Sequence, residues 1–273
     1  MKVLILGRGG WLAGKFAEAY DTKVCPANIL QYSEVEEAIA EAKPDVVINC
    51  AGKTGRPNID WCVETSHNQR TTHLVNAAAL TIISAACQKH DAKLVHLSSG
   101  CLWTSGKDIT ETASTDAPSF YSQSKVDGEM NLDWSRDLII RLRMPFDDTD
   151  SQRSLISKLT KYSKVISEDN SLTYIPDLVD AVKHLVDNKH VGVYNVVNKG
   201  AVNGEQILKL YKKIVDPTHE YELVTMKYLL DNKLCTEGRS NCTLSGAKLE
   251  ATGFDIPPAM QRLEEAMKAL AKK

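Results

Sequence analysis

Short apolar runs alternate with longer helical patterns through the first half of the chain. The runs are Val3–Leu6, Asp45–Cys50, Lys93–Leu97 and Leu138–Leu142. Between them, Trp11–Tyr20, Ser33–Ala42, Thr72–His90 and Phe120–Trp134 read as helices, and a further strand is expected near Lys23–Ala27. This rhythm predicts repeated strand–helix–strand units around a parallel sheet with helices on both faces. After Pro145 the rhythm changes. Helices are predicted at Ser154–Tyr162, Pro176–Asp187, Gly204–Val215 and Pro257–Lys272, with a strand at Val193–Val197 and an irregular stretch after Val215. The fold class is therefore α/β, a doubly wound parallel sheet over residues 1–147. Residues 148–273 form mainly a smaller C-terminal lobe over the carboxyl ends of the strands, with 176–198 returning to the sheet domain.

Composition narrows the class of partner. In 273 residues, 33 Lys and Arg stand against 35 Asp and Glu, a formal charge of −2. No clustered basic surface is expected, so neither nucleic acid nor an anionic membrane is a partner, and the charge balance points to a small molecule. The seven cysteines include no CxxC pair and read as reduced thiols. No cleavable leader and no membrane-length apolar run is apparent, so the expected compartment is the cytoplasm. The seven histidines have no metal-ligand spacing, and no metal is expected.

Three stretches carry chemistry. Gly7-Arg-Gly-Gly10-Trp-Leu-Ala13-Gly14 follows the first strand and opens the first helix, where glycines let backbone N–H groups approach a dinucleotide pyrophosphate. The strand near Lys23–Ala27 does not end in the acid that would hold a ribose 2′-hydroxyl, and Arg8 is available for a 2′-phosphate. The expected cofactor is NADP(H), with NAD(H) as the alternative and Arg8 then merely a solvated charge. The second stretch, Tyr121-Ser-Gln-Ser-Lys125, puts a phenol and an ammonium on one helical face, where the cation is expected to lower the phenol's pKa. It lies one strand–helix unit after Ser98-Ser99-Gly100, and Ser99 is the hydroxyl expected to align a substrate carbonyl with Tyr121. The third is the long polar loop from Gly52 to Cys62, after Asn49-Cys-Ala-Gly52, placed to contact cofactor and substrate.

Together with Arg141-Leu-Arg-Met-Pro145, these motifs resemble the dTDP-4-dehydrorhamnose reductase group of extended short-chain dehydrogenases, especially its plant nucleotide-rhamnose synthase/epimerase-reductase branch. The likeness extends through Thr54-Gly-Arg-Pro-Asn-Ile-Asp-Trp-Cys62, Tyr194-Asn195, Asp216-Pro217 and Arg239-Ser240-Asn241. It implies a Rossmann-like NAD(P)-binding domain and a substrate-binding lobe. The implied activity is reduction of the 4-keto group of a UDP- or dTDP-linked 4-keto-6-deoxyhexose, with inversion of C3 and C5 in the plant branch. By matching positions, Tyr121 is the proton donor, Lys125 its tuner and ribose ligand, and Ser99 the carbonyl-orienting hydroxyl. Cys101 and Lys158 are implied as the acid–base pair of the epimerisation. Cofactor contacts are expected from Gly7, Arg8, Gly10, Trp11, Leu12, Asn49, Ala51, Gly52, Lys53, Ser98, Tyr121 and Lys125. Substrate contacts are expected from Thr54, Gly55, Arg56, Asn58, Arg239 and Asn241. The resemblance also implies a homodimer. The chain departs from the plant branch at Ala13, at Ser99 where that branch has Thr, and in a longer segment from Glu64 to Gln69. The alternatives are a reductase without epimerase activity and a non-catalytic NADP-binding regulatory subunit.

Overall fold

The computed structural model describes residues 1–272. Its centre is a five-stranded sheet in the order Val3–Leu6 (β1), Val46–Asn49 (β2), Lys93–Leu97 (β3), Leu138–Arg141 (β4) and Gly192–Asn195 (β5). Every neighbouring pair is parallel, with Ile5 beside Ile48, Ile48 beside Val95, and Ile140 beside Tyr194. Two of the expected strands match their apolar runs to the residue, because those runs are what the sheet buries.

Alternation along each strand divides the core in two. Ile5, Val46, Ile48, Val95, Leu97, Leu138 and Ile140 meet Phe16 and Ala17 of helix α1 (Trp11–Ala19) and Leu178, Val182 and Leu185 of helix Ile175–Asp187. Leu6, Val47, Leu94, Ile139 and Val193 meet Val35 and Ile39 of helix α2 (Tyr32–Ala42) and Leu80, Ile83 and Cys87 of helix α3 (Ala79–Lys89). Successive side chains on opposite faces produce this three-layer arrangement.

The structure corrects several expected elements. Lys23–Ala27 is no strand: only Val24 bridges to Ile5. Pro26 ends that pairing by removing a donor. The helix expected at Thr72–His90 begins earlier, as Ser66–His73, capped by Thr65, whose side chain accepts from Asn68 N–H. It passes through a π-helical segment, Leu74–Ala78, before α3. The helix carrying Tyr121, α4 (Phe120–Met130), stops four residues short of the predicted Trp134. In the lobe, the helix expected at Ser154–Tyr162 is only Leu155–Leu159. The stretch expected to be irregular contains strands Glu222–Val224 and Asn241–Leu244 and a helix, Met226–Asp231. Asn241–Leu244 pairs with Ser105–Ile109, and the lobe has its own core of Phe146, Ile156, Leu172, Ile207, Leu263 and Met267. Among the described residues no helix is long and apolar enough to cross a membrane.

Candidate active site

The carboxyl ends of β1 to β4 carry the glycine loop, the Gly52–Cys62 loop, Ser98–Cys101 and Arg141–Pro145. β1 is the topological switch, since Val24 lies on one side of it and β2 on the other. Open α/β sheets place their ligands there.

The glycine loop fits a dinucleotide. Gly7 has φ +121°, and a Cβ on it would stand 3.0 Å from both Cys50 C and Ala51 N, so the loop lies directly on the β2 end. Gly9 has φ +70° and open space around it. Gly10 N–H donates to Gly7 O at 2.9 Å. Helix α1 has no side-chain cap and no acid in its first turn, which leaves its first N–H groups for an anion. Trp11 and Leu12 begin this helix and pack their side chains partly on the core. Arg8 is exposed.

Asn49 is wholly buried; its Oδ1 accepts from Ala51 N–H at 3.0 Å, while Nδ2 lies 3.2 Å from His96 Nδ1. Burial first, and Lys125 second, hold the His96 imidazole well below its ordinary pKa, so it is neutral at physiological pH. Asn76, inside the π-helical segment, receives Lys53 N–H on Oδ1 at 2.8 Å and donates Nδ2 to Lys53 O and to Ser124 Oγ, both at 2.9 Å. It ties the polar loop to the Tyr121 helix. A Cβ on Gly128 would approach Asn76 O to 2.2 Å, so α4 packs directly on this segment. Sequence reasoning missed Asn76, whose role depends on tertiary packing.

Ser119 caps α4 by accepting from Ser122 N–H at 3.1 Å. Tyr121 and Lys125 are 8% and 4% exposed. The expected cation-depressed phenol is not what surrounds Tyr121. Burial pushes its pKa up, Cys101 and Cys62 add to this, and a hydrogen bond with Ser99 opposes it. A phenol so placed is protonated at neutral pH. Lys125 Nζ donates to Leu97 O at 3.3 Å and lies 3.6 Å from where a Cβ on Gly52 would be. Burial lowers its pKa to about 8, against the pull of Glu129. Ser99 Oγ also accepts from Cys101 N–H at 3.1 Å.

The Ser98 hydroxyl is turned away from this group and donates to Glu129 Oε1 at 2.5 Å. Glu129 is otherwise bound by Arg141, whose Nη2 lies 2.6 Å from Oε2, forming a buried pair beneath Lys125.

Cys101 is half-buried, and Arg143 Nη1 lies 3.3 Å from its Sγ. Lys158, on the Leu155–Leu159 helix, is lowered first by burial, then by Arg153, and raised by Cys101. Arg153, also missed in the sequence, is lowered by burial and by Arg56. Arg56, Arg153 and Lys158 thus face one region as neighbouring cations. Of the other expected substrate contacts, Thr54 is exposed, Gly55 turns the loop with φ +71°, and Asn58 Oδ1 accepts from Asp60 N–H at 2.9 Å. Arg239 pairs with both oxygens of Asp60, at 2.9 and 2.8 Å, and so fastens the lobe to the loop. Asn241 Oδ1 accepts from Asn170 Nδ2 at 3.2 Å. Among the described residues no group of His, Cys, Asp and Glu is arranged to hold a metal.

The family described as RmlD substrate binding domain matches residues 1–271. The chain belongs to that family. It is 29% identical to a bifunctional dTDP-4-dehydrorhamnose 3,5-epimerase/dTDP-4-dehydrorhamnose reductase of Arabidopsis thaliana, over 97% of this chain and 91% of that protein. Trifunctional Arabidopsis proteins that combine UDP-glucose 4,6-dehydratase, epimerase and reductase activities are 30% identical in one case, but the chain spans only 39% of that protein's length. Among solved structures, the L780 UDP-rhamnose synthase of Acanthamoeba polyphaga mimivirus superposes with TM-score 0.85 and 25% identity, covering 98% of this chain and 99% of that one. The dTDP-4-dehydrorhamnose reductase of Bacillus anthracis, crystallised with NADP, shares the fold with TM-score 0.80 at 19% identity, with 99% of each chain covered.

Proposed function

We propose that this chain epimerises C3 and C5 of a nucleotide-linked 4-keto-6-deoxyhexose and then reduces its 4-keto group with NADPH, giving an L-rhamnose-type nucleotide sugar. The observation that carries the reading is the convergence of two acid–base sets: Tyr121 bonded to Ser99, and Cys101 interacting with Lys158. The likeness to the bifunctional Arabidopsis protein over nearly the whole of both chains supports it.

In epimerisation, a thiolate of Cys101 takes the proton from a carbon activated by the ketone. The electron pair moves onto the carbonyl oxygen, held by Tyr121 and Ser99. Lys158 then returns a proton from the other face, and solvent exchange restores both groups. In reduction, the Tyr121 phenol gives its proton to the carbonyl oxygen as the carbon is reduced, and Ser99 keeps that oxygen in line. The bound nicotinamide supplies the hydride. Lys125 places a cation beside Gly52 for the cofactor ribose, and Arg8 favours the 2′-phosphate of NADP over NAD. Arg56 and Arg153 are suited to the diphosphate of a UDP- or dTDP-sugar. A cytoplasmic homodimer is part of this proposal, and sedimentation at micromolar concentration tests the dimer.

Incubation of the keto-sugar with enzyme and NADP+ in heavy water separates the readings. Deuterium at C3 and C5 is the expected result. Its absence, with NADPH still oxidised in a parallel assay on the already epimerised keto-sugar, leaves a reductase that needs a separate epimerase. Neither exchange nor reduction, with NADPH bound, identifies a regulatory subunit.

A further inference from the structure

Tyr121 can meet a ketone in line with Ser99 only if helix α4 begins in one fixed place, and two distant parts of the chain hold that beginning. On one side, Ser122 Oγ donates to Cys101 O at 2.6 Å, which fastens the first turn to the segment bearing Ser99. On the other, Phe120 N–H donates to Glu237 Oε1 at 2.9 Å, across 117 positions of sequence. Tyr121 is the residue between these two anchors. The Ser119 cap serves Ser122 N–H, so the N–H of Phe120 takes its partner from outside the helix.

Glu237 belongs to the lobe, and its main chain grips a second element of the site. Its N–H donates to Asp60 Oδ1 at 3.3 Å, and its carbonyl accepts from Arg239 Nη1 at 2.8 Å. Arg239 also holds both oxygens of Asp60, which lies in the polar loop placed to contact substrate. Gly238 keeps the same segment close to the helix start, since a Cβ there would stand 3.6 Å from Pro118 O. Residues 237–239 thus join the polar loop, through main chain and guanidinium, to the Tyr121 helix, through one carboxyl oxygen.

We propose that Glu237 is a positioning residue for the reduction, a lobe side chain that seats the first turn of α4 so that the Tyr121 phenol meets the ketone. This rests on the reading of Tyr121 as proton donor. Further along α4 the helix is held by the sheet domain instead: Ser124 by Asn76, Lys125 by Leu97 O, and Gly128 by its direct packing on the π-helical segment. Loss of Glu237 therefore loosens the turn that carries Tyr121 and leaves Lys125 in place for the cofactor. A reacting group misplaced by about 1 Å costs on the order of 100-fold in rate, so a partial loosening is enough to show in kcat.

The test is a double-mutant cycle on reduction of the already epimerised keto-sugar by NADPH. Glu237→Ala is expected to lower kcat about 10-fold or more, with the Kd for NADPH within about twofold of wild type. Glu237→Gln keeps the acceptor for Phe120 N–H and changes only Oε2, which has no partner, so its kcat is expected within about threefold of wild type. In a Tyr121→Phe enzyme no phenol remains to be placed, and adding Glu237→Ala is expected to change the residual rate by less than about twofold. An unchanged kcat in Glu237→Ala overturns the proposal, as does a fall in Glu237→Gln as deep as that in Glu237→Ala. An equal fall in the Tyr121→Phe background marks a general loosening of the fold and overturns it too. If Glu237→Ala does not fold, Glu237→Asp, one methylene short of Phe120 N–H, takes its place in the cycle. A wild-type enzyme that reduces nothing refutes the reductase reading and this role with it, whereas additive losses in an enzyme that does reduce refute the role of Glu237 alone.

Discussion

Replacing Glu129 by glutamine should separate the support beneath the active site from the chemistry above it. Glu129 is 2% exposed and accepts from Arg141 Nε at 3.1 and 3.2 Å, from Arg141 Nη2 at 2.6 Å and from Ser98 Oγ at 2.5 Å. Glutamine keeps the shape but points an NH2 donor at a guanidinium or a hydroxyl, and it leaves Arg141 buried without its counter-charge. Breaking one partner of a buried pair costs about 3–5 kcal/mol, a large part of the ~5–15 kcal/mol that holds a domain together. NADP+ at about 100 times its Kd returns roughly 2.7 kcal/mol, so the variant should be purified and assayed with cofactor present.

The functional consequence runs through Lys125. Glu129, one turn along α4, raises the Lys125 pKa against its burial. Without that carboxylate the ammonium deprotonates below its present pKa of about 8, so the basic limb of kcat/KM for NADPH moves to lower pH. Urea unfolding gives the stability, and pH profiles of NADPH oxidation give the limb. Exchanging the pair together, Glu129→Leu with Arg141→Met, should recover most of the stability without restoring the limb. A Glu129→Gln enzyme with unchanged midpoint and unchanged limb would refute both parts of the reasoning.

Tyr121→Phe should lower kcat for reduction by about 10²–10⁴ while NADPH titration by fluorescence stays near wild type, since it deletes the transferable proton. Cys101→Ala should slow deuterium exchange at C3 and C5 far more than it slows reduction of an already epimerised sugar, read by NMR and NADPH absorbance on the same preparation. Lys125 is 4% exposed and its pKa falls from 10.5 to about 8 on folding. The unfolded chain therefore binds more protons between those values, and the cofactor-free enzyme should gain up to about 3 kcal/mol from this group as pH rises through that window. Lys125→Met should lack that gain in urea unfolding at pH 8 and pH 10. Arg8→Ala should raise KM for NADPH about 10-fold or more and leave KM for NADH nearly unchanged, because it removes only the partner of the 2′-phosphate.

The central strands were legible because the parallel sheet buries Val46–Asn49 and Leu138–Arg141 on both faces, and uninterrupted apolar runs are the direct record of that burial. Tyr121, Lys125 and Ser99 were equally accessible, being local patterns at the ends of such runs. Other parts had no local signature. Ser66–His73 is polar enough to read as loop, and its helix is fixed by the Thr65 cap and by the packing that follows. The π-helical segment and Asn76 depend on Gly128, fifty-two positions away in the chain, whose missing side chain lets two helices touch. Ser105–Ile109 is mostly exposed, and it becomes a strand only through Asn241–Leu244. Arg141 and Arg143 looked alike in the sequence. Only the fold gives one a carboxylate and the other a thiol. Likewise, Arg239 is expected from the sequence as a substrate contact, and only the fold shows Asp60 paired with it.

The most direct measurement of the central claim is NADPH absorbance with UDP- and dTDP-4-keto-6-deoxyglucose, no other epimerase present, followed by NMR identification of the sugar. Oxidation of NADPH with formation of an L-rhamnose nucleotide is the predicted result. Oxidation that yields a sugar unaltered at C3 and C5, or no oxidation by an enzyme that binds NADPH, would contradict it.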